Sequence, residues 1–320
     1  MKTRKGDGMH QTTTIAHISD VHVTPPRGLT PKLLNVKRTL GLMNWHRGRK
    51  RVHKAAVVDL LVGDMQECNP DHFAVTGDLC NIGLPSEYTA ALAWLKRIGP
   101  ASDVTVVPGN HDIYTNTGKH PGVELWREFM SPDEFGSQLA GVAATQRGFP
   151  FVRRVRNVAL VAVNSAVETP PFVAAGRIGK EQLAALETVL QNEALEGMAR
   201  VVLIHHPPLP GLAPKARALA DAEDFAAVLA RTGAELVLHG HNHRDMLNWA
   251  HGPQGRIPVV GIASGSAAAR HKDEPLGRYN IVRVTPAEKG WAIEVLGRGL
   301  LAVDGGVVEI EREMLACCDA

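Results

Sequence analysis

The sequence predicts an α/β protein in which layers of helix cover layers of sheet. Short apolar segments of strand length alternate with longer amphipathic segments along most of the chain, and polar residues directly follow the apolar segments. The 320 residues, of which 44% are hydrophobic, are enough for one large core. Because no internal repeat or Gly/Ser-rich linker divides the chain, we expect one domain over residues 12–300, followed by a C-terminal tail over 301–320.

The elements follow one another in a regular order from the N-terminus. An apolar run predicts the first strand within residues 13–22, and a periodic pattern predicts a helix over 53–68. A second strand over 71–79, a helix over 86–99 and a third strand over 103–112 continue this order. The same patterns predict the later elements: two strands over 151–167, a helix over 180–195, a strand over 199–208, a helix over 221–233, a strand over 234–243, and strands joined by turns over 256–298.

Charge is unevenly distributed along the chain. Nine Lys or Arg residues lie between Arg27 and Lys54, and no Asp or Glu occurs between Val23 and Val58. The rest of the chain holds 26 basic and 33 acidic residues. An acidic body therefore carries one strongly basic segment.

The sequence predicts a cytoplasmic location. No apolar run approaches the ~20 residues that a membrane-spanning helix needs, and no apolar signal segment follows the first charged residues. The four cysteines, Cys68, Cys80, Cys317 and Cys318, lack the spacing of a zinc knuckle and suit a reducing compartment.

Polar side chains that can bind metals follow five of the predicted strands. These candidates are Asp20 and His22 in SDVH, Asp78 in TGDL, Asn110, His111 and Asp112 in PGNHD, His205 and His206 in IHHPP, and His239, His241 and His243 in LHGHNH. Because loops at the carboxyl ends of strands meet in layered α/β proteins, we expect these side chains to lie together. Mixed carboxylate, imidazole and amide ligands favour Mn²⁺, Fe, Co²⁺ or Zn²⁺ over Ca²⁺ or Mg²⁺ alone.

The number of these candidates exceeds one tetrahedral site. Two metal ions about 3.5–4 Å apart need a shared carboxylate, and the set contains several. His239, His241 and His243 lie at alternate positions, so an extended strand would place all three on one side. Any one of these residues could be a helix cap or a turn residue, but five clusters at five strand ends together predict a metal site.

In chain order, the motifs DVH, GD, GNHD, HHP and GHNH resemble those of the calcineurin-like metallophosphoesterase family, over roughly residues 14–270. The resemblance implies a four-layer α/β/β/α sandwich with a centre of two divalent or trivalent metal ions, for which Mn is favoured among Mn, Fe, Zn and Co. It also implies hydrolysis of a phosphodiester or pyrophosphate bond by a metal-bridging hydroxide.

The resemblance further implies a role for each motif residue. It assigns Asp20, His22 and His243 to one metal, Asn110, His205 and His241 to the other, and Asp78 to the position between them. His205 is preferred to His206 because the family's ligand usually lies two positions before the proline, and His239 matches no ligand. His111 is implied as the proton donor or electrostatic stabiliser of the leaving oxygen. Asp112 either orients His111 or caps the turn.

The basic segment, 27–54, is expected as an insertion beside the active site. Thr30 and Pro31 predict a helix start, and an apolar stripe follows, formed by Leu29, Leu33, Val36, Leu40 and Met43. Three interpretations are open: a helix packed through its apolar stripe, a lid or membrane-surface element with Trp45 at the interface, or a nucleic-acid patch. Nucleic acid is disfavoured, because the segment offers a single aromatic side chain for base stacking.

The substrate is left open between two branches of the family. The basic, apolar insertion resembles that of enzymes that cleave UDP-2,3-diacylglucosamine, a nucleotide-lipid, and this would allow peripheral membrane contact. Class III cyclic-nucleotide and glycerophosphodiester phosphodiesterases share the HHPP and GHNH motifs equally well. A non-catalytic scaffold of the same fold is disfavoured, since such a protein would lack some motifs and none is missing here.

Overall fold

Two six-stranded β-sheets form the centre of the structure, a computed structural model that describes residues 11–142, 148–271 and 273–316. The strands of the first sheet are β1 (Thr13–Ile18), β2 (His72–Val75), β3 (Val104–Val106), β10 (Arg278–Pro286), β11 (Trp291–Leu300) and β12 (Val307–Ala316). Their order is β12-β11-β10-β1-β2-β3. Strands β1, β2 and β3 run parallel, and β10 to β12 join them as an antiparallel extension.

The second sheet has the same number of strands. They are β4 (Phe151–Val155), β5 (Val158–Ala162), β6 (Ala199–Leu203), β7 (Leu236–His239), β8 (Met246–Gly252) and β9 (Gly255–Gly261), in the order β4-β5-β6-β7-β9-β8. The four central strands run parallel, and β4 and β8 are antiparallel edges. All parallel strands of this sheet therefore end on the same side.

Helices cover the outer face of each sheet. These are α3 (Ala55–Glu67), α4 (Pro85–Ile98), α5 (Lys180–Leu190) and α6 (Ala222–Thr232), whereas α1 (Val36–Asn44) and α2 (Lys50–Val52) belong to the insertion. Helices α3 and α4 pack with the first sheet, and α5 and α6 pack with the second. None of the helices in the described ranges is long and apolar enough to cross a membrane.

Strand β5 shows how the layers arise from its sequence, VALVA. All five residues are buried. Val158, Leu160 and Ala162 face the core between the sheets, whereas Ala159 and Val161 pack under α5 and α6. A strand covered on both faces needs apolar residues at every position, because successive side chains point to opposite faces. The predicted four-layer α/β/β/α fold is confirmed.

The segment expected as a C-terminal tail, 301–320, supplies an edge strand. Strand β12 pairs antiparallel with β11 over its whole length, with Val307 opposite Leu300 and Ala316 opposite Ala292. The described part of this segment is therefore continuous with the first sheet. Residues 317–320, which include Cys317 and Cys318, lie outside the described residues.

The insertion differs from its expected form at its N-terminus. Pro31–Leu33 is a single 3-10 turn, and the Thr30 side chain makes no capping hydrogen bond. Helix α1 instead begins at Val36, because Asn35 accepts a hydrogen bond from Arg38 N through its side chain at 2.8 Å. The expected start at Thr30 is therefore wrong, and a π-helical turn, Trp45–Arg49, joins α1 to α2.

The face of α1 that packs against the domain is not the apolar stripe. Val36 is 70% exposed and Met43 43% exposed, whereas Arg38 and Trp45 are buried. The Arg38 guanidinium donates to the carbonyl oxygens of Leu33 at 3.0 Å and Gly83 at 2.6 Å. A charged side chain thus anchors the helix by satisfying buried carbonyls, and much of the apolar stripe stays open to solvent.

Replacing the Arg38 anchor should loosen the insertion. Arg38→Met leaves the Ile82 and Gly83 carbonyls without their guanidinium donor, so we expect a loss of about 1–3 kcal/mol in the free energy of unfolding. Urea unfolding and limited proteolysis within 27–54 measure the change, and Lys32→Met, at an exposed position, is the matched control. Equal stability and equal proteolysis for the two variants would contradict this anchoring role.

Candidate metal centre

The candidate ligands lie where the carboxyl ends of the two sheets meet. Asp20 follows β1, Asp78 follows β2, and Asn110 follows β3 in the first sheet. His205 follows β6 and His241 follows β7 in the second sheet. The parallel strands of both sheets thus deliver polar side chains to one edge, as the sequence predicted.

The backbone at this edge is unusual. Five candidate ligands adopt left-handed backbone: Asp20 (φ 53°), His22 (φ 41°), Asp78 (φ 56°), His241 (φ 71°) and His243 (φ 55°). Non-glycine residues rarely adopt this conformation, which costs of order 1–3 kcal/mol per residue and concentrates at functional sites. Strand β7 ends at His239, so the expectation that an extended strand aligns all three histidines of HGHNH is wrong. His241 and His243 reach the site through tight turns.

Close packing at this edge also requires glycine. A side chain at Gly240 would collide with Ser19 and with the carboxylate of Asp20. A side chain at Gly109 would collide with Asp78. The glycines of the GHNH and GNHD motifs therefore allow the loops of opposite sheets to approach the carboxylates.

One group of donor atoms is formed by Asp20, His22 and His243. Their ligand atoms lie within 4.8 Å of one another. His243 Nε2 is 3.1 Å from Asp20 Oδ1, and His241 N donates to Asp20 Oδ2 at 2.9 Å. The His22 Nδ1 proton is given to the Cys80 carbonyl at 2.7 Å, since a carbonyl oxygen only accepts. This leaves the Nε2 lone pair of His22 for another partner.

A second group forms around His205. Its Nε2 lies 3.2 Å from Asn110 Oδ1, 3.2 Å from His241 Nδ1 and 3.5 Å from Asp78 Oδ2. His205 Nδ1 donates to the Thr76 carbonyl at 2.6 Å, which leaves Nε2 as the atom that faces the group. Asp20, Asp78 and His205 form a further group within 4.8 Å, which connects the two.

These groups fit metal ions by their geometry. Ligands that bind a metal at 2.0–2.2 Å lie roughly 3 Å from one another, and the donor atoms around His205 have this separation. His241 Nδ1 is the ring nitrogen that faces His205 Nε2, so it is the atom of His241 that an ion in this group would contact.

The electrostatics of the groups also fit a cation. Burial would raise the pKa of Asp20, but His243, His205 and His22 hold it well below its ordinary value. Burial would lower the pKa of His205, but Asp78 and Asp20 raise it to about 9. His243 behaves similarly, since Asp20 overcomes its burial and raises its pKa to about 9. The two carboxylates therefore favour positive charge beside them, which bound metal ions would supply.

The neighbouring histidines are engaged elsewhere. Both ring nitrogens of His206 have partners, Ser165 Oγ at 2.8 Å and the Ala174 carbonyl at 3.2 Å. This supports the preference for His205, although His206 lies close enough to form a group with His205 and His241. His239 is a buried residue of β7 whose Nδ1 lies 3.0 Å from the Gly240 carbonyl.

Asp112 does not orient His111. Its carboxylate accepts four backbone hydrogen bonds, from the N–H groups of Asp78, Leu79, Cys80 and Gly109, at 2.8–2.9 Å. His111 Nδ1 contacts the Asn81 carbonyl instead. The expectation that Asp112 accepts the second ring proton of His111 is therefore corrected. Asp112 binds the backbone of the β2 and β3 loops together, which is the turn-capping alternative.

Several site residues were not identified from the sequence. Glu274 Oε2 lies 3.3 Å from His243 Nδ1, where it can orient that ring. The His53 ring packs 4.6 Å from that of His22 and contacts Ser266 Oγ at 2.8 Å. Arg49 Nη2 donates to His22 Nε2 at 2.8 Å and its Nη1 to His111 Nε2 at 3.1 Å. Only the basic composition of 27–54 was a signal for Arg49.

A cavity of about 430 Å³ opens beside these groups. Asn110 and His111 lie on one wall, and the insertion and the loop at 171–174 form the others. Four basic residues line it: Lys37, Arg47, Arg49 and Arg217. The structure thus places the insertion beside the site, and the cavity suits an anionic ligand.

Comparison with known proteins agrees with this picture. Residues 13–245 match the model of the calcineurin-like phosphoesterase family. A "probable cyclic nucleotide phosphodiesterase" from Synechococcus sp. is 27% identical over 243 residues, which are 75% of this chain and 76% of that protein. A protein of the same description from Rhodococcus erythropolis is 28% identical over 178 residues, 54% of this chain, and the match spans only 52% of its own length.

A solved structure shares the fold. The crystal structure of a dimetal phosphatase from Danio rerio aligns with a TM-score of 0.55 and 14% identity, over 93% of this chain and 98% of that one. At this identity the likeness concerns the arrangement of the sheets and helices.

The capping role of Asp112 can be separated from a catalytic one. In Asp112→Asn, an amide nitrogen replaces one acceptor oxygen and faces backbone N–H groups. We expect a loss of about 2–4 kcal/mol in the free energy of unfolding, measured by urea denaturation. Asp103→Asn, at an exposed position, should change stability by less than about 0.5 kcal/mol. Unchanged stability with reduced turnover would instead support the orienting role.

Proposed function

This chain belongs to the calcineurin-like phosphoesterase family, and we propose that it hydrolyses the phosphodiester bond of a nucleotide with two bound metal ions. The observation that carries the proposal is the convergence of two groups of buried donor atoms beside a basic cavity. The family hydrolyses phosphoric esters at dinuclear centres, and the donor groups at this edge support such a centre.

We assign the ligands as the motifs imply. Asp20, His22 and His243 would hold one metal, Asn110, His205 and His241 the other, and Asp78 would lie between them. Bound at these residues, two ions would neutralise phosphate oxygens and lower the pKa of a water molecule so that hydroxide forms near pH 7. Mn²⁺ is our preferred metal, because the ligands mix hard oxygens with imidazole nitrogens.

The protein itself supplies orientation around this centre. Thr76 and Cys80 fix the rings of His205 and His22 through their carbonyl oxygens, so that Nε2 of each ring faces inward. His111 lines the cavity next to Asn110 and is held by the Asn81 carbonyl. His111 is therefore the imidazole placed to interact with the leaving oxygen of a bound phosphodiester.

A cyclic nucleotide is the substrate class that we favour. The cavity of about 430 Å³ lies in the range of sites for single small molecules, roughly 300–1,000 Å³. Its basic side chains suit a phosphate, and Tyr114 and Phe172 offer aromatic surface for a flat base. Two bacterial relatives are described as probable cyclic nucleotide phosphodiesterases, which supports this choice.

A nucleotide-lipid such as UDP-2,3-diacylglucosamine is the second candidate. Two large apolar side chains are exposed at the cavity: Met43 by 43% and Phe172 by 85%. Met43 and Phe172 come from different segments and both line the cavity, so acyl chains could extend over them. This substrate would bring the enzyme to a membrane surface through the basic segment.

The proposed position of Asp78 between the metals predicts that its removal lowers metal binding at both sites. Asp78→Ala removes a carboxylate that lies near ligands of both groups. We expect metal content to fall at both sites and turnover of bis-p-nitrophenyl phosphate to drop by about 10³-fold or more. Metal analysis of the purified protein and steady-state kinetics measure the two effects, with Asp304→Ala at an exposed position as the control. A variant that keeps both metals would refute the shared position.

The two substrate candidates predict opposite preferences. With Mn²⁺ added, we expect kcat/KM for 3′,5′-cyclic AMP to exceed that for UDP-2,3-diacylglucosamine by about tenfold or more. If the nucleotide-lipid is the substrate, the double variant Leu40→Asp with Met43→Asp should reduce its turnover far more than that of bis-p-nitrophenyl phosphate, because acyl chains need the apolar surface. A reversed substrate preference would establish the nucleotide-lipid as the substrate class.

A further inference from the structure

Backbone hydrogen bonds around Arg49 fix its position beside the candidate metal centre. It ends the π-helical turn after α1, and its carbonyl accepts from His53 N at 2.9 Å. The next residues are bound to the loop after β9, with Lys54 N donating to the Ser266 carbonyl and Ala268 N donating to the Val52 carbonyl. The Ser266 hydroxyl in turn donates to the Asp20 carbonyl at 3.1 Å. Arg49 is therefore positioned by the same loop that supports a candidate ligand.

The charge of Arg49 has no close carboxylate. Its two terminal nitrogens contact His22 Nε2 and His111 Nε2, and it forms no ion pair with the acidic residues of the described ranges. Asp78 and Asp20 act on it only through longer-range attraction. A guanidinium that is partly removed from water, beside a cavity and without an anionic partner, favours an anionic ligand.

The present partners of Arg49 are atoms that the proposed function uses. His22 Nε2 has one lone pair, because its Nδ1 carries the ring proton. It cannot both bind a metal and accept from Arg49. An ion held by His22 would therefore release one guanidinium nitrogen beside Asn110 and His111 on the cavity wall.

We propose that Arg49 binds the phosphate of the substrate, with its two terminal nitrogens donating to non-bridging phosphate oxygens. This inference rests on the proposed phosphodiesterase function and adds a residue from the basic segment to it. The planar guanidinium can donate two parallel hydrogen bonds to two phosphate oxygens, a geometry that a lysine ammonium does not offer. The basic segment would then supply the substrate contact, and its helix would serve to place Arg49.

The test compares Arg49→Met, Arg49→Lys and Arg51→Met. Arg51 is exposed and does not line the cavity, so Arg51→Met is the matched control for loss of one positive charge. Inorganic phosphate is titrated into each Mn²⁺-loaded protein by calorimetry, and kcat/KM is measured with bis-p-nitrophenyl phosphate. Metal content and Tm are measured on the same preparations.

We expect Arg49→Met to weaken phosphate binding and to lower kcat/KM by about 10- to 100-fold each, with metal content and Tm unchanged. Arg49→Lys should recover part of the phosphate affinity and part of kcat/KM. Arg51→Met should equal the wild-type protein in both quantities. Full phosphate affinity in Arg49→Met would overturn the proposal. A loss of bound metal in Arg49→Met that accounts for the weaker binding would also overturn it.

Failure of the proposed function gives a different result. If the wild-type protein hydrolyses no phosphodiester yet binds phosphate through Arg49, the phosphodiesterase function is wrong and the Arg49 contact stands. If the wild-type protein hydrolyses phosphodiesters and Arg49→Met does so equally well, the function stands and the Arg49 contact is wrong.

Discussion

The structure of the site depends on two buried carboxylates, Asp20 and Asp78, that come from neighbouring strands and lie close to the same imidazole, that of His205. Two buried negative charges repel each other strongly unless cations or hydrogen-bond donors surround them. The surroundings meet this demand with backbone N–H groups, since His241 N donates to Asp20 and His111 N donates to Asp78. The remaining charge is left for histidines or metal ions to balance.

The loops around the carboxylates adopt backbone conformations that cost free energy, and hydrogen bonds hold them in these conformations. Left-handed backbone at five candidate ligands is unfavourable, so these loops need partners that hold them in place. Asp112 gathers four N–H groups from two loops, and Ser264 and Ser266 bind the Asp20 carbonyl. The parallel strands that precede these loops are buried on both faces. Their close packing fixes the positions at which the loops begin and end.

The basic insertion lines the cavity beside this centre. It is anchored by Arg38 at one end and by the loop after β9 at the other, while the apolar side chains of Val36 and Met43 stay exposed. An element fixed at both ends can present a guanidinium and an apolar surface to one cavity at the same time. The motif residues at the strand ends and this segment therefore line one continuous region of the protein.

The sequence by itself determined the layers of the fold and the places where metal ligands could occur, because burial on two faces requires apolar strands and loops at strand ends carry the polar residues. It could not determine the partners of those residues. Asp20 and the backbone of His241 are 221 positions apart, and periodicity records which face is buried but not which atoms meet there. Only the tertiary structure decided these partners, because it brings distant loops of two sheets together at one edge. It set the capping role of Asp112, the Arg38 anchor, the left-handed turns of His241 and His243, and the contacts of Arg49 and Glu274.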